Sequence, residues 1–282
     1  MSHETEPRDE AAASCRTSGP APVIRVRGAY KCYWTGRIAF PALNGVDLDV
    51  AAGEFTVLSG RSGSGKTTLL NVIGGLETAD RGEVRICGRD FRRVGRGERT
   101  AFRLRHVGFV FQAYNLVRVL TAEENVAYVC QLQGHPRQEC SRLARRWLAE
   151  VGLDGLERRR PTQLSGGQQQ RVAVARALAS SPDLVLADEP TANLDTTTAQ
   201  ALIGLLRDLN ARLGTTFLIS SHDPDVKAAA RRLVELSDGR VVDQAAGTPP
   251  PPKITAEQVC PRPGSLRWLR SWRRPGGGDQ TG

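Results

Sequence analysis

Eight consecutive residues, Gly60-Arg61-Ser62-Gly63-Ser64-Gly65-Lys66-Thr67, restrict this chain more than any other feature. They fit G-x-x-x-x-G-K-[S/T], a loop that cradles phosphates. Glycines let backbone N–H groups curl around phosphate oxygens without Cβ clashes. Phe55-Thr56-Val57-Leu58 reads as a strand running into the loop, and Thr67 to Leu76 reads as a helix leaving it. The helix start points its positive dipole end at the same anion. Lys66 is placed to reach the β- and γ-phosphates of a nucleotide, and the Thr67 hydroxyl to ligate Mg²⁺; Thr68, next on the helix, counts with the binding loop.

A second half-site lies downstream. Leu184-Val185-Leu186-Ala187 is an apolar strand ending in Asp188 and Glu189. At the C-terminal edge of a parallel sheet such carboxylates face the ligand crevice. In P-loop NTPases the aspartate at this strand end holds Mg²⁺, which makes Asp188 the candidate. Glu189 follows, where it can polarise a water in line with the γ-phosphate.

Leu164-Ser165-Gly166-Gly167-Gln168 is a second anion-binding helix start, with Ser165 as N-cap and two glycines exposing backbone N–H groups. A helical segment separates it from Lys66, so it does not easily reach the phosphates that Lys66 holds. Two anion sites on one chain point to two copies sandwiching nucleotides head to tail.

Around these motifs, short apolar strands (Val107 to Phe111, Leu184 to Ala187, Thr215 to Ser220, Arg232 to Leu236) alternate with helical stretches (Ala122 to Leu132, Arg137 to Val151, Gly167 to Ala179, Thr196 to Leu213). That pattern predicts an α/β fold with a mainly parallel sheet covered on both faces, and with the phosphate loop it resembles a RecA-like P-loop NTPase core. Residues 23 to 58, where Val46, Leu48 and Val50 alternate with polar residues, read as an antiparallel β subdomain. The expected organisation is a disordered extension over 1–22, a nucleotide-binding domain over 23–244 with an inserted α-helical subdomain at about 115–163, and a Pro/Arg-rich disordered tail over 245–282. No apolar run approaches membrane-span length, and Met1 to Glu10 shows no secretory pattern. The six cysteines form no C-x-x-C pair and read as reduced, packed thiols. The net charge of +9 is carried almost wholly by scattered arginines, which reads as solvated surface.

Taken together, the motifs resemble those of ABC transporter ATPases, in order and spacing, across about 23–244. Leu164 to Gln168, continued by Gln169-Gln170-Arg171, is similar to that family's signature segment, and Asp188-Glu189-Pro190-Thr191 to its magnesium and catalytic-glutamate strand end. Further roles are implied by the resemblance alone. Asn193-Leu194-Asp195 would be the D-loop that crosses to the partner subunit, with Asp195 its acidic residue. His222 would contact the γ-phosphate, Gln112 would sense γ-phosphate and metal, and Tyr33, rather than nearby Tyr30, would stack on adenine. Asn71 to Glu77, Gly108 to Leu116, Leu120-Thr121-Ala122 and Glu124-Asn125-Val126 resemble the macrolide-export and lipoprotein-release subfamily. Arg118 and Ala192 depart from it, standing where proline and glycine are usual; the second is expected to leave the chemistry untouched.

The resemblance implies a subunit that binds ATP and Mg²⁺, hydrolyses ATP as a homodimer, and drives a separate permease of four transmembrane helices with a large extracytoplasmic domain. Such a subunit would be peripheral on the cytoplasmic face of the cell membrane, with no nucleic acid as partner. The alternative is a soluble ABC ATPase acting on a nucleic-acid or ribosomal partner, for which the net positive charge is the one favourable feature. In the tail, Leu266, Leu269 and Trp272 among arginines would suit an anionic headgroup layer if helical.

Overall fold

A computed structural model of the chain describes residues 22–36 and 38–242. The expected extension up to residue 21, the tail from 243 onward and its Arg/Trp stretch lie outside the described residues. Strands β1 (Ile24–Thr35) and β2 (Ile38–Val50) pair antiparallel, with Val46, Leu48 and Val50 buried and Asp47 exposed between them. Strands β4 (Arg81–Ile86) and β5 (Arg89–Asp90) complete a four-stranded antiparallel sheet in the order β2-β1-β4-β5.

A second sheet runs β10-β9-β3-β8-β7-β6, built from β3 (Phe55–Ser59), β6 (Val107–Val110), β7 (Leu184–Asp188), β8 (Thr216–Ser220), β9 (Arg232–Ser237) and β10 (Arg240–Val242). Neighbours are parallel except the β9–β10 pair at one edge. Every residue of β3 and β8 is buried, as a sheet covered on both faces requires. Alternate residues of these strands enter two cores. Phe55, Val57, Phe217 and Ile219 meet α3 (Ala122–Leu132), α4 (Arg137–Glu150), α5 (Gly166–Leu178) and α6 (Thr196–Leu213). Leu58 and Leu218 face α1 (Lys66–Ile73), α2 (Arg96–His106) and the antiparallel sheet. A short helix, α7 (Pro224–Ala228), follows β8.

Several boundaries differ from expectation. The helix expected to reach Leu76 stops at Ile73, because Gly74 and Gly75 follow and Gly75 is left-handed at φ 65°. A Cβ on Gly74 would lie 2.3 Å from the Phe109 ring, so the pair lets this turn press on β6. The arginine-rich helix α2 carries one buried residue, Phe102, too few for an apolar period to announce it. Cys32 and Cys87 are each in a disulfide, which corrects the expectation of reduced thiols at these two positions. Cys130 and Cys140 are free and buried. Among the described residues no helix is long and apolar enough to cross a membrane.

Candidate nucleotide site

The loop after β3 owes its shape to two glycines above all. Gly60 has φ 154° and a Cβ there would sit 2.2 Å from the Leu236 carbonyl oxygen; Gly65 has φ 103° and a Cβ there would sit 2.3 Å from the Ala42 carbonyl oxygen. Any other residue would be both strained and obstructed. Helix α1 starts with no side-chain cap and no acidic residue in its first turn, so its own residues leave that positive end uncapped. Lys66 is buried, and its Nζ donates to the carbonyls of Gly60 (2.8 Å) and Arg61 (3.1 Å).

β7 delivers the two carboxylates beside this loop. Asp188 Oδ1 accepts from Thr67 Oγ1 at 3.2 Å and from Ser220 Oγ at 2.6 Å. Glu189 lies 3.5 Å from Lys66 Nζ through Oε1, and 3.0 Å from His222 Nδ1 through Oε2. Its backbone is left-handed at φ 45°, uncommon for a side chain of this size and a cost of about 1–3 kcal/mol. The Glu189 N–H holds that conformation by donating to both the carbonyl (3.1 Å) and Oγ (3.0 Å) of Ser220. Ser220 is fully buried and so fixes both acids, yet nothing in the sequence distinguishes it beyond its place at the end of an apolar strand.

A cavity of about 440 Å³ is bordered by Tyr33, Ser62, Gly63, Gly65, Lys66, Thr67, Thr68, Gln112, Glu189 and His222. Residues far apart in the chain therefore meet at the ends of β3, β6, β7 and β8. Ala192 also borders this cavity. Asn193 donates from Nδ2 to the Gln112 carbonyl at 3.0 Å, tying the segment after β7 to the one after β6. Tyr33 donates to Glu77 at 2.5 Å, and Glu77 in turn accepts from Asn71 at 3.3 Å. Burial, then the bond to Glu77, pushes the Tyr33 phenol up to about 12. Tyr30 instead packs against Gly45, where a Cβ would lie 2.9 Å from its hydroxyl.

Oxygen donors of Asp188 and Thr67 next to a phosphate loop suit Mg²⁺, which takes one or two protein ligands and fills its shell with phosphate and water. Gln112 is near enough to border the same space. Among the described residues no cluster of three or more His, Cys, Asp or Glu offers a rival, all-protein metal site.

The segment Leu164 to Gln168 does not border this cavity. Leu164 is buried in the core, and Ser165 caps α5 in a reciprocal box with Gln168: Oγ accepts from the Gln168 N–H at 3.3 Å, and Gln168 Oε1 accepts from the Ser165 N–H at 2.9 Å. A Cβ on Gly166 would lie 2.9 Å from the Tyr114 hydroxyl, and one on Gly167 2.5 Å from Thr198 Cγ2, so a side chain at 167 would have to displace Thr198. Asp195 caps α6, accepting from the Thr198 N–H at 2.9 Å and hydroxyl at 2.6 Å; these bonds hold its carboxyl below the usual range.

Comparison with known proteins agrees with this geometry. A family profile described as ABC transporter matches residues 43–192. The lipoprotein-releasing system ATP-binding protein LolD of Anaeromyxobacter dehalogenans is 49% identical over 222 residues, covering 78% of this chain and 93% of that protein. The macrolide export ATP-binding/permease protein MacB 1/2 of Paracoccus denitrificans is 44% identical over 230 residues, covering 81% of this chain and 34% of the larger relative. Among solved structures, the dimeric post-hydrolysis state of the ATP-binding cassette MJ0796 with ADP and Pi is 39% identical, with a TM-score of 0.73, over 77% of this chain and 96% of that one. On the phosphate loop, the paired carboxylates and these likenesses together, the chain belongs to the ABC transporter family, as an ATP-hydrolysing cassette.

Proposed function

We propose that two copies of the chain close head to tail over two ATP molecules, and that their opening and closing drives a separate membrane permease. The observation that carries this reading is the position of Ser165 to Gly167: a glycine-bearing helix start that lies outside the cavity bordered by Lys66. A site whose clamp lies elsewhere on the chain is completed by a second copy. The solved MJ0796 cassette is dimeric, which supports the same arrangement.

In this mechanism the loop backbone and Lys66 bind the β- and γ-phosphates, and Tyr33, fixed by Glu77, stacks on adenine. Asp188, Thr67 and Gln112 would hold Mg²⁺, which supplies charge neutralisation on the phosphates when bound. Glu189 takes a proton from the water that attacks the γ-phosphorus, as the bond to the β-phosphate oxygen breaks. His222, within 3.1 Å of both Glu189 oxygens, orients that carboxylate and meets the γ-phosphate. Catalysis is then positioning and electrostatic stabilisation. Ser165 and Gly167 of one copy clamp the nucleotide of the other, and the Asp195 segment crosses between them.

The LolD and MacB likenesses favour a partner of the lipoprotein-release or export type, with four transmembrane helices and a large extracytoplasmic domain. The cassette then sits on the cytoplasmic face of that membrane. The surface that suits such a partner is the groove between α2, β6 and α5, about 390 Å³, beside the segment that follows Gln112.

Mixed-protomer complementation tests the composite site. Lys66→Ala protomers and Ser165→Arg protomers are each expected to be inactive alone. A mixed dimer has one site with both lesions and one with neither, so ATPase activity should reappear on mixing. Full activity of Ser165→Arg protein by itself would contradict the arrangement.

A further inference from the structure

Helix α5 carries one polar side chain that the fold leaves unused. Gln170 is fully buried, and among the described residues neither its amide nitrogen nor its oxygen has a hydrogen-bond partner. A carboxamide offers two donors and an acceptor with two lone pairs, and burying them unpaired is costly. Buried polar groups in folded chains are nearly always paired, so an exception marks a place where packing serves something besides stability.

The helix face on which Gln170 stands gives its surroundings. Toward the C-terminal end of that face, Ala177 packs on Gly108 near the start of β6: a Cβ on Gly108 would lie 3.2 Å from that of Ala177. Toward the N-terminal end, Gly166 faces the Tyr114 hydroxyl and the Asn193 carbonyl, where its Cβ would lie 2.9 Å and 3.8 Å away. Gly166, Gln170 and Ala177 follow the helical period and share one face. The helix therefore runs against β6. Gln170 lies about 10 Å along it from Ala177, or about three strand residues beyond Gly108, level with Phe111 and Gln112.

At that level two segments are tied together, since the Gln112 carbonyl accepts from Asn193 Nδ2 at 3.0 Å. Tyr114 and Asn115 follow in left-handed backbone, at φ 59° and 49°, a region that a residue as bulky as tyrosine seldom adopts. Arg176, also on α5, holds this course by donating to the carbonyls of Tyr114 at 3.0 Å and Asn115 at 2.5 Å. One helix thus carries the bonds that fix the present course of residues 112–115 and, on another face, an unused amide buried at the same level. A shift of that segment that brings a backbone N–H or carbonyl onto Gln170 would relieve both the unpaired amide and the left-handed tyrosine.

We infer that Gln170 is a positioning residue for hydrolysis: its carboxamide takes the backbone that follows Gln112 into hydrogen bonds when nucleotide is bound, and so holds Gln112 in its working place. This role rests on the reading that Gln112 meets the metal and the γ-phosphate, and it supplies the group that stabilises the second arrangement. A nucleotide shifts a two-state segment only by binding its two arrangements unequally, and Gln170 reduces the difference that the nucleotide must supply. Gln170 touches neither nucleotide nor attacking water and acts through Gln112.

Gln170→Leu separates this role from a structural one. Leucine is of similar size and removes the unpaired polar group, so the thermal midpoint should hold or rise by about 2–4 °C. Over the same change kcat for ATP should fall about tenfold, with KM altered by less than about twofold. Hydrogen exchange with and without Mg²⁺ and a non-hydrolysable ATP analogue locates the effect. Nucleotide should slow exchange at residues 60–67 and 112–115 in the parent chain, and at 60–67 alone in the variant. If the leucine variant does not fold, Gln170→Met, unbranched and of similar length, is measured in the same way. A midpoint that falls together with kcat, or failure of both variants to fold, would show an amide already paired in the resting chain and overturns the inference. A parental kcat, or protection at 112–115 that survives in the variant, overturns it too. Absence of that protection in the parent chain instead removes the reading of Gln112, and the role of Gln170 falls with it.

Discussion

Ser220 offers a sharp test of how the site is held together. Ser220→Ala removes one hydroxyl that is fully buried between Asp188 and Glu189. The loss at Glu189 is small, because its N–H still donates to the Ser220 carbonyl at 3.1 Å. The loss at Asp188 is larger: a 2.6 Å bond to a carboxylate, of a kind that contributes about 1.5–3 kcal/mol. Asp188 keeps Thr67 as a partner at 3.2 Å and is partly accessible, so water recovers some of that. The net expectation is about 1–2 kcal/mol of stability, read as a lower urea midpoint with an unchanged slope. Function should suffer more than stability does. A residue that orients a metal-binding carboxylate typically affects metal affinity or activity about 10–100-fold. ATPase rates measured across a Mg²⁺ titration should show the half-saturating Mg²⁺ concentration raised in Ser220→Ala, a change that a merely looser fold would not produce. An unchanged Mg²⁺ dependence would refute Ser220 as the residue that positions Asp188.

Asn125→Ala should destabilise the chain by about 2–3 kcal/mol in thermal or urea unfolding, because the buried amide accepts from the Val117 N–H and donates to the carbonyls of Val117, Leu120 and Thr121. A loss under about 0.5 kcal/mol would show that water replaces those bonds. Glu124 is held below the ordinary carboxylate range, first by the backbone N–H of Thr121, in the capping box of α3. A lowered folded value means that its contribution is present above the unfolded value and is lost as pH falls through the folded one. Glu124→Gln should therefore cost stability near neutral pH and approach the parent protein at acid pH; a pH-independent difference would contradict the assignment.

Much of the fold was legible because its determinants are local. The bounds of α3 and α6 agree with the apolar period, and the β7 strand is an uninterrupted apolar run ending in charge. The phosphate loop declares itself because its glycines answer to local φ and close backbone approach. The asparagine in Glu124-Asn125-Val126 is a different matter. The motif is readable, but its work, pinning residues 117 to 121, is visible only when the chain folds back on it. Helix α2 escaped because it buries a single residue, Phe102, and so shows no apolar period. Ser220 and the Asn193–Gln112 bond escaped because both join segments far apart in sequence.

In the proposed mechanism ATP hydrolysis depends on Glu189 as the base that activates water. Glu189 stands beside Lys66 and His222, on a backbone held left-handed by Ser220. Steady-state ATPase rate and ATP binding, measured side by side on the parent chain and on Glu189→Gln, test it directly. The substitution keeps the shape and removes the proton acceptor. ATP binding should persist, turnover should fall by about 10²–10⁴-fold, and an ATP-bound dimer should accumulate in size-exclusion chromatography. Turnover near the parent rate in Glu189→Gln would contradict the account.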